Sequence, residues 1–234
     1  MTQMRERGMT LSAAVVFGLL CGAVGCGSTD GKEGGATTSP QVTNAAEQLC
    51  GGAVSAAARS ALGLLAGGSA LHPTDPAENP SAAADELVAH WAPLNTPPHK
   101  RDPVDLCAIS AEKNLGAGPA DVRIEFRLSD AEEAKGDGKI AASLERYDVG
   151  VRASIGTQRA YLWFSCVSGR LSGSEQGPAY LLASVESARA PKGEAGALKD
   201  ANATVVHSAA LAVAQKLSCD GDGGLAPKPA LKHA

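Results

Sequence analysis

The chain has 234 residues, a formal net charge of −4 and 44% hydrophobic residues, but alanine alone supplies 44 positions and Leu, Ile, Val and Phe together only 45, about 19%. So low a content of large apolar residues borders on the disordered range, yet disorder by composition also requires high net charge, which is absent, so one thinly cored domain with unstructured ends is expected. The slight acidity excludes a nucleic-acid binder working through a basic surface, and no apolar run is long enough for a mature membrane span.

Residues 1–25 are organised as an export signal. Arg5 and Arg7 make a short basic start, Leu11 to Leu20 an apolar stretch, and small residues follow. Glu6 separates the two arginines, so a twin-arginine signal is not supported. The end of the segment, Ala23-Val24-Gly25-Cys26-Gly27-Ser28, resembles a bacterial lipobox, although Ala23 stands where Leu is commonest. Cys21 fits less well, because Leu20 precedes it. The resemblance implies that Cys26 is acylated on sulfur and becomes the mature N-terminus. A diacylglyceryl cysteine carries two acyl chains, and two chains are what stable anchoring needs. The implied location is the outer face of the cytoplasmic membrane; the competing reading is an ordinary secretory signal. Residues 26–41 then comprise the lipidated Cys26 and a Gly/Ser/Thr-rich tether with a reach on the order of 20 Å.

Cys50, Cys107, Cys166 and Cys219 remain, an even number in an exported chain. They allow three pairings, of which Cys50–Cys107 with Cys166–Cys219 is the one expected. There is no C-x-x-C and the spacing matches no zinc site, so no metal ligand is assigned.

A short helical piece carrying Cys50 is expected before Gly51-Gly52. It is followed by a helix whose stripe is Val54, Ala57, Ala58, Ala61, Leu62 and Leu65, ending at Gly67-Gly68. A second helix is expected over 82–92, with Ser81 as N-cap and Ala84, Leu87, Val88 and Trp91 on one face; Pro93, Pro97 and Pro98 stop it. The period then changes to two. Strands are expected at 104–109, over Val122–Leu128, as one alternating run from Tyr147 to Ile155, over 159–168 after a turn at Gly156-Thr157-Gln158, and over Tyr180–Glu186. The stretch 129–143 reads as an exposed charged loop. A last helix over 197–218 has the stripe Leu198, Ala201, Val205, Ala209, Ala212 and Val213, and 220–234 reads as a disordered tail. The fold class is α+β: an antiparallel sheet of about five strands packed against N- and C-terminal helices, with two disulfides, in one domain over 42–219.

Motifs that carry chemistry are sparse. G-x-S-x-G, H-E-x-x-H, the P-loop and the dinucleotide fingerprint are absent, so no cofactor and no catalytic residue is assigned. Ser110-Ala111-Glu112-Lys113 matches S-x-x-K without its S-D-N and K-T-G companions. Asp220-Gly221-Asp222-Gly223-Gly224 starts like a calcium loop but lacks the closing acidic ligand. His72, His90, His99, His207 and His233 show no ligand spacing and read as surface or edge residues. Asn202-Ala203-Thr204, formally a glycosylation sequon, reads as the start of a helix.

One surface stands out. If Leu162, Phe164 and Cys166 point inward, alternation puts Arg159, Tyr161 and Trp163 on the opposite sheet face, beside Arg123, Arg127 and Arg152 of neighbouring strands. Amphipathic rings with arginines suit an anionic or sugar-containing ligand, or a protein interface. The reading requires Trp163 to be open to solvent.

The segments Leu49-Cys50-Gly51-Gly52, Tyr161-Leu162-Trp163-Phe164-Ser165-Cys166, Asn202-Ala203-Thr204-Val205-Val206-His207 and Leu217-Ser218-Cys219 resemble those of actinobacterial secreted lipoproteins that join a lipobox to a four-cysteine α+β domain. That resemblance covers roughly 45–219 and implies an envelope lipoprotein, with no activity or catalytic residues to carry over. The expected function is a membrane-anchored, non-catalytic domain binding an envelope ligand or protein. The alternatives are a hydrolase of an envelope polymer using acidic residues or His90 and His207, and a structural or immunity-type lipoprotein that caps a partner.

Overall fold

A computed structural model describes residues 49–229, apart from 69, 76, 93–101 and 137–140. The expected export signal over 1–25, Cys26 and its tether, Pro93, Pro97, Pro98, His99 and His233 lie outside the described residues. In chain order a 3-10 turn at Leu49–Gly52 leads to α1 (Ala56–Ala66), β1 (Leu71–Pro73), α2 (Pro80–His90), β2 (Val104–Ala111) and β3 (Val122–Ser129). Then come α3 (Ala131–Lys135), β4 (Glu145–Tyr147), β5 (Arg152–Ile155), β6 (Arg159–Cys166), β7 (Ala179–Ser187) and α4 (Ala195–Leu217). The strands form one antiparallel sheet in the order β1-β2-β3-β7-β6-β5-β4.

The class is the α+β arrangement expected from the change of period, with seven strands instead of five. The run Tyr147–Ile155 is a hairpin and not one strand, because Tyr147 pairs with Ala153 across a turn at 148–151. Gly150 sits there at φ 62°, and a Cβ on it would lie 2.6 Å from the Trp163 carbonyl oxygen. The seventh strand, β1, is a three-residue edge too short for any period to reveal.

Helix ends follow local chemistry. Ser55 caps α1 by accepting from the Ala58 N–H, and Gly67, at φ 71°, closes it. The inward stripe is Ala58, Leu62, Leu65 and Ala66; Val54 is buried ahead of the helix and Ala57 faces solvent. In α2 the cap is Asn79 and not Ser81: its Oδ1 accepts from the Ser81 and Ala82 N–H groups at 3.0 Å, and Pro80 occupies the first turn. Within 129–143, expected to be loop, Asp130 caps α3 by accepting from the Glu133 N–H at 2.6 Å.

Helices α1, α2 and α4 share one face of the sheet, with α4 against both other helices and against β6 and β7. Of the expected stripe, Leu198, Ala201, Val205, Ala209 and Val213 are buried and Ala212 is half-buried; Asn202, Ala203, Val206, His207, Ala210, Ala214 and Leu217 are buried as well. Exposure is retained in the first turn, 195–197, and along the side that carries Lys199, Asp200, Thr204, Ser208, Leu211, Ala212, Gln215 and Lys216. Asn202 is therefore an interior helical residue and not a helix start, donating to the Gly156 carbonyl at 3.0 Å. Ser208 pins α1 to α4 by accepting from the Ser55 N–H at 2.9 Å and donating to the Ala53 carbonyl at 3.0 Å.

Two disulfides fasten this layer. Cys50–Cys107 ties the segment before α1 to β2, with Cα atoms 5.4 Å apart, and Cys166–Cys219 ties the end of β6 to the end of α4, with Cα atoms 4.9 Å apart. Beyond Cys219 the chain does not leave the domain as a disordered tail would. The Asp220 N–H donates to the Val167 carbonyl at 2.9 Å, Asp220–Gly224 forms a 3-10 turn with Gly221, Asp222 and Gly223 in the left-handed region, and Leu225 is buried. Gly223 is required there, since a Cβ would meet the Phe164 ring at 2.9 Å.

The expectation that His207 lies at the surface is also corrected: it is 3% exposed, because α4 is covered on several sides. Burial lowers its pKa below the ordinary 6.5, opposed by a hydrogen bond with the Ala226 backbone. The unfolded chain therefore takes up a proton more readily than the folded one, so His207 costs stability as pH falls below about 6.5. Melting curves between pH 8 and pH 5.5 are expected to lose midpoint in the wild type, and to lose less of it in His207→Leu. Replacing Cys166 and Cys219 by Ser opens a loop of sequence separation 53. By chain entropy that change costs about 4 kcal/mol, a drop on the order of 10 °C in a calorimetric scan.

Candidate functional site

The sheet face opposite the three helices holds the six residues that the strand alternation brought together. The alternation itself is as expected: Leu162 faces Ala183 and Phe164 faces Leu181 on the inward side, so Arg159, Tyr161 and Trp163 point outward. The outward face, however, is partly covered. Ala134 of α3 packs with Trp163, Tyr180 and Leu182 in a small second cluster, and Val151 and Tyr161 lie at its edge. Trp163 is 7% exposed, which removes the open platform expected there.

The arginines are engaged as well. Arg152 lies over the Trp163 ring, 4.0 Å from its centroid, and donates to the Glu133 carbonyl at 2.9 Å and to the Gly136 carbonyl. It thereby satisfies carbonyls at the C-terminal end of α3. Arg127 forms a two-pronged pair with Glu133, through Nη1 to Oε2 at 3.0 Å and Nη2 to Oε1. Arg123 meets Asp105 at 3.3 Å and Glu125 at 3.4 Å, and Arg159 lies 3.6 Å from Glu186. The physical reason for the correction is that α3 forms inside a segment read as loop, and the sheet's polar face carries carboxylates at the positions opposite its arginines. In a Trp91→Phe background, Trp163 fluorescence is expected to resist acrylamide in the native state. Trp163→Ala is expected to cost about 3–5 kcal/mol in denaturant titrations, as for a core aromatic.

A second concavity lies where sequence reasoning placed nothing. It has a volume of about 930 Å³ and is formed by the second half of α1, the 3-10 turn Glu112–Asn114 and the segment 189–192 after β7. Arg59, Lys113, Arg189 and Lys192 line it, with Leu64, Ala190 and Pro191 between them. Asp121 is the single carboxylate among the lining residues.

Asp121 is an anchor. Its side chain is 4% exposed; its Oδ2 accepts from the Ala111 N–H at 2.9 Å, Asn114 Nδ2 reaches both oxygens at 2.9 and 3.0 Å, and Arg189 pairs with Oδ1. Burial pushes its pKa up, but the bonds from Asn114, Ala111 and Arg189, with the Arg189 charge, outweigh that and hold the carboxyl below its ordinary value. Lys113 donates to the Gly67 carbonyl at 2.6 Å, at the C-terminal end of α1. Arg59 and Lys192 have no side-chain partner among the described residues.

These cations come from three separate stretches of chain, so no spacing could have revealed them. Lys113 entered the sequence reading only as the end of S-x-x-K; Ser110 is a buried residue of β2 that does not line the cleft. Neither His90, which lies 3.8 Å from Glu86, nor His207 lines it. Among the described residues no three His, Cys, Asp or Glu side chains converge as a metal site would need, and no helix is long and apolar enough to cross a membrane. No family model, no curated protein and no solved structure matches the chain.

Proposed function

We propose that this chain is an actinobacterial-type secreted lipoprotein, held at the outer face of the cytoplasmic membrane by lipid on Cys26, that binds an envelope ligand or protein without transforming it. The observation that carries the reading is that all four cysteines of the folded domain are paired. Such bridges persist outside the reducing cytosol. Pairing them leaves Cys21 and Cys26, of which Cys26 is the one preceded by small residues after an apolar stretch.

The basic cleft supports the binding part of the reading. Its one carboxylate is already bound by three donor groups, so the cleft offers positive charge and shape and not a free acid and base. The hydrolase alternative invokes acidic residues or His90 and His207; neither histidine lines this cleft, His207 being buried in α4 and His90 lying beside Glu86, and the cleft's carboxylate, Asp121, is already bound.

The test is metabolic labelling of the full chain with an alkyne analogue of palmitate. The wild type is expected to take up label and to enter the detergent phase on Triton X-114 partition, and Cys26→Ser to do neither. Equal labelling of the two, or none in either, overturns the anchor.

A further inference from the structure

We propose that the cleft takes an amphiphilic phosphate, a phosphate monoester or diphosphate head carried on an alkyl chain; this deepens the binding reading above and rests on it. The first support is a charge imbalance. Among the described residues four cations line the cleft, and of these Arg189 alone meets a carboxylate, Asp121. The C-terminus of α1 adds roughly half a negative charge, and Lys113 sits on its Gly67 carbonyl. Subtracting both leaves about two to three positive charges in one concavity of a chain whose net charge is −4. A phosphate monoester or diphosphate carries a matching charge, and guanidinium forks such as Arg59 suit phosphate oxygens.

The second support is the apolar lane between those charges. Leu64 is 36% exposed, and among the described residues only it and Leu115 are large apolar side chains left so open. Leu64 lines the cleft together with Ala190 and Pro191. A volume of about 930 Å³ also far exceeds what a bare anion fills; it lies at the upper end of the 300–1,000 Å³ typical of sites for drug-sized ligands. Charge alone would fit a free anion, and the lane alone a neutral lipid; the two together fit an amphiphile. Among the described residues no aromatic ring lines the cleft to stack a base, which disfavours single-stranded nucleic acid.

The experiment uses the purified full chain in dodecyl maltoside and four probes followed by isothermal titration: inorganic phosphate, pyrophosphate, n-hexyl phosphate and n-hexyl glucoside. The six-carbon chain keeps the probe monomeric. Hexyl phosphate is expected to bind at least tenfold more tightly than inorganic phosphate, the effect of burying about two methylenes, and hexyl glucoside not to bind. Arg59→Gln with Lys192→Gln, two side chains without partners among the described residues, is expected to weaken pyrophosphate and hexyl phosphate roughly tenfold or more while the unliganded melting temperature holds. Leu64→Ser should weaken hexyl phosphate and leave pyrophosphate unchanged.

Equal affinity for pyrophosphate and hexyl phosphate, with no effect of Leu64→Ser, would make this a free-anion site and overturn the proposal. Hexyl glucoside binding as tightly as hexyl phosphate, or no binding of pyrophosphate or hexyl phosphate, would overturn it too. Release of inorganic phosphate from hexyl phosphate would sustain the ligand assignment while overturning the non-catalytic reading. Loss of the fatty-acid label without loss of binding would sink only the anchor.

Discussion

The constraint on which this structure depends is the close approach of a 23-residue, alanine-rich helix to the sheet. With Leu, Ile, Val and Phe making up about a fifth of the chain, there are few large side chains to fill a core. Ala201, Ala203, Ala209, Ala210 and Ala214 of α4 are all buried, so the helix buries backbone and methyl surface at short range in place of bulk. Two further helices then flank it and cover much of its remaining surface. Interiors built this way have little slack, and the disulfides stand where slack would matter most, at the entry to α1 and the exit of α4.

The cleft follows from that arrangement. Because α1 is pinned to α4 through Ser208 and to β2 through Cys50–Cys107, its C-terminal end is held over the edge of the sheet. Lys113 and Asp121, on either side of the β2–β3 connection, are brought beside it, and Arg189 is drawn in by Asp121. The buried carboxylate thus serves the site indirectly: it fixes one cation and leaves the others to face whatever enters. On the opposite face the balance is reversed. There each arginine of β3 and β6 has a carboxylate within reach, and Arg152 is committed to the carbonyls of α3.

The sequence was most legible where a pattern is local. Alternation in Val122–Leu128 and in the strand ending at Cys166 placed the inward side chains correctly, and the cysteine pairing expected is the one found. It was least legible where a short signal sat inside a longer period. Asp148 to Gly150 form a turn within what scans as one alternating strand, and Asp130 nucleates a five-residue helix within what scans as loop. His207 is not legible as a buried residue because a single stripe of α4 accounts for the sequence pattern, whereas two helices and the 3-10 turn after it cover other sides of the helix.

By itself the sequence determined the class of the fold, the inward faces of β3 and β6, the boundaries of the three long helices to within about two residues and the cysteines available for bridging, because periodicity, capping and residue chemistry act over neighbouring positions. Only the tertiary structure decided which cations remain without a counter-charge. Arg59, Lys113 and Lys192 meet across three stretches of chain beside Arg189, which Asp121 holds, while the arginines most conspicuous in the strands are neutralised by partners on adjacent strands and on α3. Charge pairing acts through space at a few ångströms, and a linear sequence does not encode which side chains come that close until the helices have packed.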